Sequence, residues 1–223
     1  MSHRVGVILS GCGVYDGSEI HEAVITMLAL DRAGAKMILM APNRPQMHVV
    51  NHLTGEVVEG ESRNVLVESA RITRGSIRDL KTVKADELDA LVLPGGFGAA
   101  KNLCDFAVRG ANCEVLPEAA ELIRAMHRAR KPIVSMCIAP SVVMKVLAVG
   151  DVQPTLTIGT DRATASALEK MGGRHEVHDV RGVTVDKENK LISTPAYMEG
   201  KRISEVADGI EKTIAELMKM LGG

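Results

Sequence analysis

Cys137 ends an apolar, strand-like run in "KPIVSMCIAPS" (residues 131–141), three residues before Pro140 opens a second apolar run. A cysteine at the carboxyl end of a strand, on a turn into a helix, sits at the positive end of that helix's dipole. The thiolate is the reactive form of cysteine, and such a position lowers the free-thiol pKa of about 8.5. The backbone N–H of Ile138 would point at an oxyanion formed by attack at that sulfur. The residues alone leave a second reading open, a small apolar side chain packed in the core.

"LPGGFG" (93–98) follows another apolar run, and Gly95 and Gly96 let the backbone turn sharply or approach a ligand closely. The N–H of Gly96, paired with that of Ile138, would make a two-donor oxyanion hole. An ordinary tight turn is the alternative, and the spacing is not a dinucleotide fingerprint. The third candidate is Glu22 in "DGSEIHEAV". Asp16 and Glu19 read as complements to a helix dipole with Ser18 as N-cap. Glu22 falls between the apolar positions Ile20 and Ala23, so it can face inward. A carboxyl close to a thiol stays protonated part of the time and can shuttle a proton.

Other chemistry finds less support. Cys12 lies in "SGCG" and reads as a packed small residue or a second thiol. The four cysteines form no CxxC pair. His21 should point away from Glu22. His175 and His178 have metal-like spacing only in a strand, with no third ligand nearby, so a solvated loop is expected. No metal or cofactor site is expected. A net charge of −1, no Trp, two Tyr and two Phe argue against nucleic-acid binding. No signal peptide or run of 18 apolar residues is evident, so a cytoplasmic, reduced, membrane-free setting is expected.

The elements that must position these residues follow from apolar periodicity. Residues 4–10 read as a strand, the stretch from Ser18 to Gly34 as a helix, and 35–42 as a second strand. This β-α-β unit points to a parallel sheet with right-handed crossovers. Residues 43–84 suggest a small hairpin or insertion and a short helix near 62–72. Strands are expected at 88–93 and 131–136, helices at 118–130, 139–148 and 201–221, and further extended segments at 155–161 and 182–194. The expectation is one α/β domain, residues 1–223, a three-layer sandwich with a mostly parallel central sheet. Its site should lie beyond the strands' carboxyl ends.

Seven stretches then carry a resemblance: "VGVILSGCGVYDGSEIHEAV", "NHLTGE", "ARITRG", "LPGGFGAAKNL", "MCIAP", "TIGTD" and "TPAYM". Together they resemble the glyoxalase ElbB family and its mitochondrial relatives, within the PfpI-like, class I amidotransferase-like superfamily. The resemblance implies a flavodoxin-like fold, a homodimer, Cys137 as nucleophile and Glu22 beside it. It implies a slow, cofactor-independent lyase converting glyoxal to glycolate, possible deglycase-type repair, and a link to isoprenoid metabolism. The substrate would be a small dicarbonyl or aldehyde. The alternative is a redox-sensing or regulatory protein with Cys137 as the oxidisable thiol. Ile138 stands where some relatives carry His, Gly159 replaces another, and "TPAYMEG" lacks the amidotransferase His. Glutaminase and protease activity are therefore not expected.

Overall fold

The computed structural model describes residues 2–148, 150 and 152–222; the outermost positions of the expected domain, Met1 and Gly223, lie outside them. The first unit is β1 (Arg4–Ile8), α1 (Ile20–Arg32) and β2 (Lys36–Ala41). A two-stranded ribbon, β3 (Val50–Asn51) and β4 (Glu56–Val57), and α2 (Val65–Ile72) follow, matching the hairpin and short helix expected there. Then come β5 (Arg78–Asp79), β6 (Ala90–Leu93), α3 (Phe106–Arg109), α4 (Pro117–Arg128), β7 (Ile133–Met136) and α5 (Pro140–Leu147). The chain continues through β8 (Thr155–Leu156), α6 (Arg162–Lys170), β9 (Arg174–His175), β10 (Thr184–Asp186), β11 (Leu191–Thr194) and α7 (Ile203–Met220).

Seven strands form one sheet in the order β10-β11-β7-β6-β1-β2-β5, parallel except for β10. From β1 the chain steps through α1 to β2, but from β6 it steps through α4 to β7 in the opposite direction. Right-handed crossovers then put α1 and α4 on opposite faces. Indeed α1 packs with α7, and α4 with α5. Covered on both sides, the central strands read as continuous apolar runs rather than alternating ones. Val5, Val7, Leu91, Val92 and Val134 have no exposed surface. Each such side chain contributes about 1.5–3 kcal/mol by leaving water. The reversal between β1 and β6 opens a crevice at their carboxyl ends, where the loop after β1, the Gly95–Gly96 turn and Cys137 meet.

Three local expectations need correction. Helix α1 begins two residues later than expected, with Glu19 rather than Ser18 as its cap; the Glu19 carboxylate accepts from Glu22 N at 2.7 Å. Ser18 is buried, and its hydroxyl instead accepts from Ser10 N at 2.8 Å, closing the loop on itself. His175 lies in β9, half-buried, and its Nε2 accepts from Ile158 N at 3.2 Å; it pins a loop rather than sitting in solvent. Helix α6 was not anticipated, because Leu168 is its one buried residue and gives no apolar stripe. Among the described residues no helix is long and apolar enough to cross a membrane.

Candidate active site

The turn between β7 and α5 is sharp enough to place Cys137 in the left-handed region, at φ +58°. A residue with a side chain resists this conformation by about 1–2 kcal/mol. Such strain persists only where surrounding contacts impose it. Here Cys137 N donates to Thr194 O at 3.1 Å, tying the elbow to the end of the neighbouring β11. The side chain is 7% exposed and lines a cavity of about 370 Å³.

Glu22 comes from the first turn of α1 and is fully buried. Its Oε2 accepts from Gly95 N at 2.9 Å and its Oε1 from Tyr197 N at 3.1 Å. The carboxyl and Cys137 are neighbours across Gly95: Cys137 Cβ and Glu22 Oε2 are the two atoms nearest to where a Cβ on that glycine would stand. Burial pushes the Glu22 carboxyl up to about 8; the amides of Tyr197 and Gly95 pull it down and the charge of Glu19 adds to the rise. The loop that delivers it is held by buried Asn102, whose Nδ2 donates to Ser10 O at 2.8 Å and Asp16 O at 2.9 Å.

Burial raises the Cys137 thiol well above its ordinary value, and the neighbouring Glu22 raises it further. The neighbouring N–H groups of Gly96 and Ile138 favour a charged sulfur and act in the opposite direction. The expected acidification by the helix is therefore outweighed, because desolvation and a carboxyl neighbour act more strongly than a half-charge at a helix end. Burial drives both groups of the pair toward their neutral forms. The first proton lost leaves one negative charge that belongs to the pair.

Gly95 has to be glycine for reasons of space. A Cβ there would run into Cys137 Cβ and lie 2.6 Å from Glu22 Oε2. Gly96, at φ +95°, also has to be glycine, because a Cβ there would run into the backbone of Gly17, Ser18 and Glu19.

Cys137, Glu22, Gly96 and Ile138 thus come together as the sequence suggested. Cys12 does not join them: it is half-buried and outside the cavity lining. Sequence reasoning missed Tyr197, whose amide holds Glu22 and whose side chain lines the cavity. Its hydroxyl pairs with His21 Nδ1 at 2.8 Å, so His21 turns from Glu22 toward a second partner. The available signal was "TPAYM" at a strand's end, but only the β11–β7 pairing, Thr194 beside Met136, brings it to Cys137. Val14, Phe97, Ala100, Phe106 and Met198 make the cavity walls apolar, with Asp161 and Thr164 adding polar edges. No Lys, Arg or His lines it among the described residues. At Gly159, φ +99° strains any residue with a side chain, and a Cβ there would have to displace the Glu199 carboxylate from its bonds to Thr160.

Comparison with known proteins establishes the family and its fold. The chain is 44% identical to the human glutamine amidotransferase-like class 1 domain-containing protein 3, mitochondrial, covering 98% of this chain and 84% of that protein. It is 43% identical to the rat ES1 protein homolog, mitochondrial, with the same coverage. The crystal structure of an isoprenoid biosynthesis protein with amidotransferase-like domain from Ehrlichia chaffeensis superimposes with a TM-score of 0.90 at 40% identity, covering 97% of this chain and 99% of that one. Drosophila melanogaster DJ-1beta shares the fold, with a TM-score of 0.57 at 20% identity over the whole of this chain and 95% of the other. Residues 12–193 match the DJ-1/PfpI family, and the chain belongs to it.

Proposed function

We propose that this chain, acting as one domain, is a slow glyoxalase-type enzyme that converts glyoxal to glycolate through Cys137 without a cofactor. The observation that carries the reading is the buried Glu22 carboxyl set beside Cys137 across Gly95, with Cys137 and Gly96 lining an apolar cavity. Glu22 takes the thiol proton as the Cys137 sulfur adds to one aldehyde carbon, then passes it to the new oxyanion, which the N–H groups of Gly96 and Ile138 hold. Glu22 as carboxylate removes the proton from that carbon and returns it to the neighbouring carbon. The hemithioacetal thereby becomes a glycolyl thioester, and water releases glycolate and the thiol. No lining cation is available to hold an anionic substrate, so a neutral carbonyl compound fits. The volume leaves room for an apolar substituent beside the two reacting carbons, as a repair substrate would carry.

The test is glycolate formation as a function of pH. Because the Glu22 carboxyl is raised to about 8, the pair is neutral below that value and carries its working charge above it. For the wild type, kcat/KM is expected to climb about tenfold per pH unit below 8 and to level off above it. In Glu22→Gln the inflection near 8 vanishes and the rate falls about 10²–10⁴-fold. Equal rates and profiles in the two proteins would sink the proposal. The redox-sensing alternative finds no second thiol to resolve an oxidised Cys137, which is the one cysteine lining this cavity among the described residues.

We further propose a homodimer built on α1. Ile20, Val24 and Leu28 recur every four residues on this helix and are 43%, 44% and 43% exposed, an apolar stripe facing outward. Light scattering at micromolar protein should give twice the chain mass, and Val24→Asp should give the monomer with an unchanged circular dichroism spectrum. A monomeric wild type would refute the interface.

A further inference from the structure

Away from Cys137, the chain after the Gly95–Gly96 turn runs through a π-helix, Ala99–Leu103, and returns on itself. Asp105 N donates to Glu114 O at 3.2 Å and Leu116 N to Leu103 O at 2.8 Å, with Cys104 bridged to Val115. In this antiparallel pairing Cys104 and Cys113 stand diagonally on the same face, within side-chain reach. The two thiols are close enough for each to shift the other's proton affinity. The Cys104 sulfur also lies 3.4 Å from Ala99 O.

The surroundings of the two sulfurs differ. Cys104 borders a cavity of about 250 Å³ shared with Leu103, Asp105, Glu114 and Val115, which admits small solutes. Cys113 is buried and is not part of that lining. Lys145 Nζ donates to Ala111 O at 3.0 Å, which brings a cation to the turn that carries Cys113. The neighbouring Cys104 thiol lowers the Cys113 thiol despite its burial, with Lys145 adding to the effect. The Cys113 neighbour and burial raise Cys104. The pair can therefore hold one proton between two sulfurs.

We propose that Cys104 and Cys113 form a redox dithiol that small peroxides oxidise to an intramolecular disulfide, independently of Cys137. The shared proton passes to Cys113, and the Cys104 thiolate attacks hydrogen peroxide. An S–O bond forms, the O–O bond breaks, and the departing hydroxide takes the proton from Cys113 to become water. The Cys113 thiolate then attacks the Cys104 sulfenic sulfur; the S–S bond forms, the S–O bond breaks, and the second hydroxide is protonated by solvent. Two sulfurs are oxidised by one equivalent each, and peroxide supplies both. The closed loop would contain Phe106 and Ala107, which wall the cavity beside Cys137.

The test uses the full chain carrying Cys12→Ser and Cys137→Ala, so that only this pair remains. Alkylation after denaturation should count two thiols before mild peroxide, none after it, and two again after dithiothreitol, with no change in oligomer size. Two thiols surviving peroxide, oxygen adducts that dithiothreitol does not reverse, or a link between chains would each overturn the proposal. Should the variant fail to fold by circular dichroism, peptide mapping of oxidised wild type decides. A Cys104–Cys113 linked peptide upholds the proposal, and its absence alongside oxidation of other cysteines refutes it.

Discussion

With alanine at position 137, glycolate formation from glyoxal is expected to fall to the rate in buffer alone. A loss of at least 10³-fold corresponds to about 4 kcal/mol of barrier. No other described group can replace the sulfur, since Cys137 is the one cysteine lining the cavity. The fold should persist, because the substitution removes one atom and keeps the backbone bond to Thr194 O. Cys137→Ala retains the strain of φ +58°, whereas Cys137→Gly relieves it. Glycine should therefore be the more stable of the two inactive proteins by about 1 kcal/mol in urea titrations. That difference separates the two reasons for a left-handed cysteine: strain kept for chemistry, or a turn indifferent to its residue. Full activity in Cys137→Ala removes the thiol from the mechanism. Equal stability of the Ala and Gly variants removes the strain.

Gly95→Ala should damage stability and activity together. The added methyl meets Cys137 Cβ, Glu22 Oε2 at 2.6 Å and Met136 O at 2.9 Å. Two of these atoms belong to the β7 elbow and cannot swing aside. The third can move only by giving up the Gly95 N hydrogen bond that aims the carboxyl at the sulfur. Overpacking of this kind costs about 3 kcal/mol. Glycolate formation should be lost even at temperatures where the variant stays folded. Gly34→Ala is the control: it is also glycine, at φ +73°, with nothing within 4 Å of the added methyl. It should cost about 1 kcal/mol of backbone strain and leave the rate untouched. A Gly95→Ala protein with wild-type melting and turnover would show that the turn can shift, and that the carboxyl–thiol contact is not sterically enforced.

Much of this molecule was legible from local pattern. The β-α-β start, the apolar runs at 88–93 and 131–136, and the glycine pair after the first of these each occupy a few consecutive residues. Strand burial, turn geometry and helix periodicity act on that scale, so the strand-to-helix cysteine and its neighbour Ile138 could be named from the chain alone. The hidden features depend on which strands lie side by side. Tyr197 meets Glu22, and Thr194 O meets Cys137 N, only because β11 pairs with β7. Ser18 and Glu19 exchanged roles because a loop bond to Ser10, invisible to helix-capping rules, claimed the serine. Residue type and position marked Cys137 as a nucleophile candidate, but the direction of its pKa followed from depth and from a carboxyl 115 positions away in sequence. Desolvation and long-range contact are properties of the assembled sheet and helices, and only the tertiary structure could decide them.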